Sequence, residues 1–193
     1  MKTLHSHCAS VLAAVGLSAF AAGAGAGLHE WSAIGPVGAD IRVLAVDGAN
    51  LYAGTAIGML TSRDRGARWT VASDGLADAY ISALAIDVLT PSTLYAGTPA
   101  GGLFKSVDAG TRWFAVDAGL PKDAAGAYVS ALATHPERPG AVYAATSQGL
   151  FMSADGASTW TTSRFRRQSV ASIAFDPNVT DTIYLTVEDY SGM

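Results

Sequence analysis

The residues best suited to chemistry are acids, and three of them stand in one recurring phrase. Ser62, Asp64, Gly66 and Trp69 fit Ser-x-Asp-x-Gly-x-x-Trp, as do Ser106, Asp108, Gly110 and Trp113. A worn copy carries Ser153, Asp155 and Trp160, with Ala157 at the glycine position and Gly156 one place early. An aspartate can serve as acid, base, nucleophile or metal ligand, yet a catalytic carboxylate is not needed three times along one fold. The same residues at this spacing describe a turn that locks itself. The carboxylate accepts backbone N–H groups a few residues on, the glycine takes a positive φ, and the tryptophan supplies an apolar plate for burial. The worn copy predicts a third turn built differently or less tightly.

Outside the phrase, Asp74, Asp78, Asp117, Asp123, Glu188 and Asp189 could supply the paired carboxylates of a glycosidase, which must face each other across a cleft. Their ordinary reading is that of loop acids, since Asp74-Gly75-Leu76 and Asp117-Ala118-Gly119-Leu120 look like recurring turn grammar. Arg164, Arg166 and Arg167 form a basic cluster able to grip a carboxylate. His29 and His135 are isolated, no His/Cys spacing suits zinc, and Asp181–Asp189 lacks the glycine and glutamate placement of a calcium loop. No metal or cofactor is expected.

The elements that would position these groups repeat as well. IRVLAVD (Ile41–Asp47), ISALAID (Ile81–Asp87), VSALATH (Val129–His135) and VASIAFD (Val170–Asp176) recur at intervals of 40, 48 and 41 residues. Each reads as a strand buried on both faces. A second strand follows each, at Leu51–Thr55, Leu94–Thr98, Val142–Thr146 and Ile183–Val187. Tyr52, Tyr95, Tyr143 and Tyr184 occupy one position in them and read as packing residues. A third strand leads into each Ser-x-Asp turn, and a fourth starts at each tryptophan. Repeats of this length, each a four-stranded antiparallel sheet, predict an all-β fold, a β-propeller. A β-sandwich gives no reason for the strand order to recur.

The expected division is a signal peptide over 1–26 and a partial propeller over 27–193. Full blades are expected at about 41–72, 81–116 and 129–163, a partial blade at 170–193, and a lone fourth strand at 30–35. Such a chain reads as truncated, or else as an open arc with exposed edges. Lys2, the apolar run Val11–Ala22 and the small residues through Ala26 give the basic–apolar–small layout of an export signal. A membrane anchor is the alternative, although the run is short for a span. Cleavage would remove the single Cys8, leaving a secreted or periplasmic chain held by packing alone, with no membrane span. The net charge of −4 gives no electrostatic footprint for nucleic acid.

The phrases resemble Asp-box (bacterial neuraminidase, BNR) repeats. The fuller pattern at Ile81–Trp113 looks like that of bacterial BNR-like propellers and xyloglucanase-type glycoside hydrolases. The resemblance covers about Trp31 to Met193. It implies the propeller fold, with the boxes on a rim away from the functional face. It leaves activity open, because such boxes occur in sialidases, xyloglucanases, sortilin-type receptors and photosystem assembly factors. A sialidase is a poor fit: Phe165-Arg166-Arg167-Gln168 departs from the Phe-Arg-Ile-Pro signature at its last two positions. The leading expectation is an exported, non-catalytic scaffold for a protein or carbohydrate ligand. The alternatives are a piece of a secreted glycoside hydrolase and, more weakly, a photosystem-type assembly factor. Propeller topology puts Ser73–Tyr80, Asp117–Tyr128 and Arg164–Gln168 on the ligand-binding face.

Overall fold

A computed structural model describes residues 33–76, 80–100, 102–120, 128–163, 165 and 168–188. The expected signal segment, Glu30, Trp31, Asp78, Asp123, Arg164, Arg166, Arg167 and Asp189 lie outside the described residues.

Among the described residues, alternating side chains and short turns build fourteen strands. The first sheet holds β1 (Ile41–Asp47), β2 (Asn50–Thr55), β3 (Gly58–Ser62) and β4 (Thr70–Val71). The second holds β5 (Ala83–Ile86), β6 (Leu94–Gly97), β7 (Leu103–Ser106) and β8 (Phe114–Ala115). The third holds β9 (Val129–Thr134), β10 (Val142–Thr146), β11 (Gly149–Ser153) and β12 (Thr161–Thr162). A fourth sheet pairs β13 (Ser169–Phe175) with β14 (Ile183–Glu188). Strands adjacent in sequence are adjacent in each sheet and all pairs are antiparallel, the arrangement of propeller blades. The outer strands are shorter than their apolar runs suggest. Trp113, for one, gives its backbone N–H to Asp74 O of the preceding sheet at 2.9 Å instead of joining its own sheet's ladder.

The core lies between sheets. Because side chains alternate along a strand, Tyr52 and Gly54 face the second sheet, while Leu94 and Ala96 face back toward the first. Tyr95 and then Tyr143 repeat the forward role in the next two seams. The glycines are holes for the following strand's β-branched knob. A Cβ on Gly54 would stand 2.6 Å from Ile81 Cγ2, and one on Gly97 2.4 Å from Val129 Cγ1. Ile81 and Val129 are fully buried there, each contributing about 1.5–3 kcal/mol by removal from water. The threonines that end β2 and β10 close the next hairpin. Thr55 Oγ1 donates to Gly58 O at 2.8 Å and accepts from the Ile57 N–H at 3.1 Å, and Thr146 repeats both bonds with Gly149 and Gln148.

The first strands are not all buried on both faces, as the apolar runs predict. Ala83, Leu84 and Ala85 of β5 are buried, but β1 and β13 each bury one residue, Val43 and Val170, among partly buried and exposed positions. The second sheet is covered on both sides, whereas the first and fourth lie at the two ends of the described stack. One seam carries a cation: Lys105 Nζ lies over the Tyr95 ring, 5.6 Å from its centroid, and donates to Gly156 O of the third sheet at 2.9 Å.

Candidate functional site

The Ser-x-Asp turns show how the sequence fixes a carboxylate. Ser62 Oγ donates to Asp64 Oδ1 at 2.9 Å and accepts the Gly66 N–H at 2.8 Å, while Asp64 Oδ1 accepts the Arg68 N–H at 2.8 Å. Ser106, Asp108, Gly110 and Arg112 repeat these three bonds at 2.8, 2.9 and 2.9 Å. The third turn does too: Ser153 Oγ bonds Asp155 at 2.8 Å and the Ala157 N–H at 2.9 Å, and Asp155 accepts the Thr159 N–H at 2.8 Å. The expected looser construction is therefore not found. Each turn needs two successive left-handed residues, Arg65–Gly66, Ala109–Gly110 and Gly156–Ala157. Ala157 takes φ +71°, a conformation that costs an alanine roughly 1 kcal/mol, offset by its full burial and the bond to Ser153.

These bonds set the electrostatics. The Arg68 N–H holds the Asp64 carboxyl below its usual range, and the Arg112 N–H does the same for Asp108. The Thr159 hydroxyl and N–H bring Asp155 down to about 2. A carboxylate bound by several donors stays ionised and is a poor proton carrier near neutral pH. The three tryptophans complete the device by reaching one sheet back. Trp69, Trp113 and Trp160 each donate Nε1–H at 2.9 Å, to Ile34 O, Ala72 O and Val116 O. Trp113 and Trp160 are buried, whereas Trp69 is half-buried.

Backbone bonds from Arg65 to Ala49 O, Ala109 to Ser92 O and Gly156 to Gly140 O tie the Ser-x-Asp turns to the β1–β2, β5–β6 and β9–β10 loops. The loops between first and second strands, that of β13–β14 included, carry acids of their own. Asp87 accepts the Leu89 N–H at 3.0 Å, and Asp176 accepts the Asn178 N–H at 2.8 Å and the Tyr184 hydroxyl at 2.9 Å. At the equivalent place His135 is buried and accepts the Glu137 N–H at Nδ1, with Nε2 turned to Asp181 at 3.4 Å. Asp181 also meets Arg138 at 2.5 Å. Among the described residues no three His, Cys, Asp or Glu side chains converge as a metal site requires.

Of the acids expected on the opposite face, Asp74, Asp117 and Glu188 are among the described residues. Asp74 sits in the joint between the first and second sheets, its carbonyl bound by Trp113 and its carboxylate 3.9 Å from Arg112. It faces the second Ser-x-Asp turn because β4 is only two residues long, so the loop after it already lies against the next tryptophan. Asp117 heads a turn closed by Leu120 N–H to Asp117 O at 3.0 Å. The first sheet's counterpart is closed by Leu76 N–H to Ser73 O at 3.1 Å. Glu188 accepts from Ser169 Oγ at 3.3 Å.

The structure also brings together residues that were not singled out. The first strands β1, β5, β9 and β13 neighbour one another in that order. Ser82 Oγ donates to Val129 O at 2.7 Å, and Ser130 Oγ, in the same repeat position, donates to Val170 O. In the first sheet that position holds Arg42. Its guanidinium pairs with Asp40 at 2.6 Å and lies over the Tyr80 ring, 5.4 Å from the centroid. The Asp40 hydrogen bond raises the Arg42 pKa first of all, with Tyr80 and Tyr128 also within electrostatic reach. Tyr128 is 43% exposed. Asp40, Arg42, Tyr80 and Tyr128 thus line the inner rim with an ion pair and two phenols, a surface able to hydrogen-bond and stack with a ligand. Aligning the repeats reveals the signal: Arg42 stands where Ser82 and Ser130 stand.

No protein-family model matches the chain, and no curated protein matches it. Solved structures do. A GH74 xyloglucanase from Xanthomonas campestris superposes with TM-score 0.62 at 20% identity, covering 76% of this chain and 26% of the enzyme. The extracellular domain assigned to a one-component system of B. thetaiotaomicron gives 0.63 at 21% identity, over 79% of this chain and 20% of that one. YCF48 bound to D1 peptide gives 0.52 at 13% identity, over 68% and 43%. The chain therefore spans about a quarter of the GH74 enzyme's length and under half of YCF48. At these identities the likeness is one of fold, and the fold is a β-propeller.

Proposed function

We propose that the chain is a section of an exported, non-catalytic propeller of the Asp-box kind, serving as a binding or assembly scaffold for a protein or carbohydrate ligand. The observation that carries this reading is the departure of Arg42 from the seam-serine position, which places an ion pair beside two tyrosines on the inner rim. Within it, Asp64, Asp108 and Asp155 are structural anions. Asp117, with Asp78, Asp123, Arg164, Arg166 and Arg167, would extend the ligand face beyond that rim. The Trp69 bond to Ile34 O, at the position of Ala72 and Val116, supports reading 30–35 as the fourth strand of a preceding sheet.

The test is binding of the purified chain to neutral oligosaccharide and peptide arrays, beside Arg42→Ala and Tyr128→Ala. Loss of about tenfold or more in affinity with unchanged circular dichroism is expected. Binding that both variants retain in full would reject the rim as the site. The second reading, a section of a secreted glycoside hydrolase, draws on the likeness to GH74 propellers. Xyloglucan cleavage by the chain, abolished by Asp117→Asn, would favour it.

A further inference from the structure

The outer flank of the seam between the first and second sheets is built from different residues than the seam that follows it. In the second seam Lys105 fills the space beside the third sheet's turn, its ammonium on Gly156 O and over the Tyr95 ring. The first sheet carries Thr61 at that position, too short to reach across. Thr70 stands where the second sheet has Phe114, and Arg63 where it has Val107. A cavity of about 150 Å³ results, lined among others by Thr61, Arg63, Thr70, Val71, Ala109 and Thr111. A void of that volume admits one six-membered ring. Thr70, Val71 and Thr111 are exposed, so it opens to solvent on the outer side. Both sheets of this seam are four-stranded, so its walls are complete.

The lining divides by hydrogen-bonding role. Thr111 Oγ1 donates to Asp108 O at 2.9 Å. The Thr61 and Thr70 hydroxyls bond each other at 3.2 Å, and Thr70 Oγ1 also donates to Thr61 O at 3.4 Å. Thr61 is therefore the donor to Thr70. All three hydroxyl hydrogens are committed within the protein, and each oxygen keeps a lone pair to spare. Arg63 is the reverse, a set of donors with no acceptor. Among the described residues no carboxylate lies within ion-pair distance of it. Its charge reaches into the seam: burial raises the Tyr52 phenol, Arg63 opposes that rise and Asp47 reinforces it. None of the lining residues is an acid, and Val71 and Ala109 add apolar surface.

We propose that this cavity is a binding site for a hydroxylated carboxylate, a sugar acid of the hexuronate type. The carboxylate lies against the Arg63 guanidinium, whose planar fork matches it. The ring hydroxyls donate to the threonine oxygens, and one apolar ring face covers Val71. A neutral sugar leaves the guanidinium unmatched, and a simple carboxylate leaves the threonine oxygens unmatched. Selectivity therefore falls on ligands that carry both groups. A free sugar acid and a unit of an acidic polysaccharide present this same chemistry. The site is separate from the Arg42 rim, because its lining comes from β3, β4, the residues beside them and the turn after β7, whereas Arg42 lies on β1.

The experiment titrates the full chain with glucuronate, glucose, acetate and a short oligoglucuronate, following the methyl resonances of Thr61, Thr70 and Thr111. Saturable shifts with glucuronate are expected, at an affinity about tenfold or more above that for glucose or acetate. Arg63→Val and Thr70→Phe install the second sheet's own residues. Each should weaken glucuronate binding about tenfold or more, with urea midpoints unchanged. Arg63→Lys, which keeps the charge but not the fork, should fall between. Tighter binding of the oligomer identifies a polysaccharide unit as the ligand, and equal affinity identifies the free acid. Equal binding of glucose, acetate and glucuronate overturns the proposal, as does binding that Arg63→Val or Thr70→Phe retains in full. So does a failure to saturate at millimolar glucuronate. Such a failure leaves the inner-rim reading intact, since that rests on Arg42 and Tyr128.

Discussion

The seam between the second and third sheets and the forward face of the fourth sheet use equivalent positions to opposite effect. In the seam, Ala83 pairs with Gly97 and Ala85 with Tyr95, and this small, smooth surface receives Val129. On the fourth sheet Ser172 pairs with Thr186 and Ala174 with Tyr184. The Ser172 and Thr186 hydroxyls bond each other, and Tyr184 is 59% exposed where Tyr95 is 1% exposed. Among the described residues the same tyrosine is thus buried in one repeat and exposed, tied to Asp176, in another. A repeat position has no fixed energetic meaning, because the neighbouring sheet supplies most of it.

The strongest challenge to this contrast is Trp113→Ala. Trp113 is 2% exposed and bridges two sheets, so its removal should cost about 3–5 kcal/mol. Trp69→Ala, at a half-buried copy, should cost clearly less. Urea denaturation midpoints of the two variants decide it, and equal losses would erase the difference between buried and partly covered copies. A finer comparison sets Gly97→Val against Thr186→Val. The first forces a Cβ to within 2.4 Å of Val129 and should destabilise by about 1–3 kcal/mol. The second sits at the equivalent exposed position and should change stability by no more than about 0.5 kcal/mol.

The smallest effect is a titration. Because the folded Asp155 pKa, about 2, lies below the unfolded value of about 3.9, ionisation favours the fold. That contribution is complete above the unfolded value and disappears as pH falls through about 4 toward about 2. Asp155→Asn should therefore flatten the acid limb of stability against pH in that window. A variant whose acid limb matches the parent's would show that the turn's bonds do not depend on charge.

Much of this architecture could be read from residues alone. Knobs such as Ile81, holes such as Gly97 and locks such as Ser106–Asp108 recur, and each recurrence reports one local requirement of a sheet. Ala157 misled because composition shows a missing glycine but not the burial and hydrogen bond that hold an alanine at positive φ. The joint made by Asp74 O and the Trp113 N–H was not legible, because it depends on where the next sheet's tryptophan docks. Arg42 was visible in principle, as a charged residue at the position held by Ser82, Ser130 and Ala171 in the other repeats. Its meaning required Tyr80 and Tyr128, distant in sequence, to be seen in the segments that lead into β5 and β9, beside Arg42.

The bond from Lys105 to Gly156 also bears on how such a chain can evolve. A methyl at Gly156 would stand 2.8 Å from the ammonium nitrogen, and the second sheet's counterpart, Ala109, already carries that methyl opposite the shorter Thr61. The sheets are therefore keyed to particular neighbours. Duplicating or shuffling one of them would strand a charge against a side chain, so gains and losses of whole units are constrained at the joints before selection on function begins.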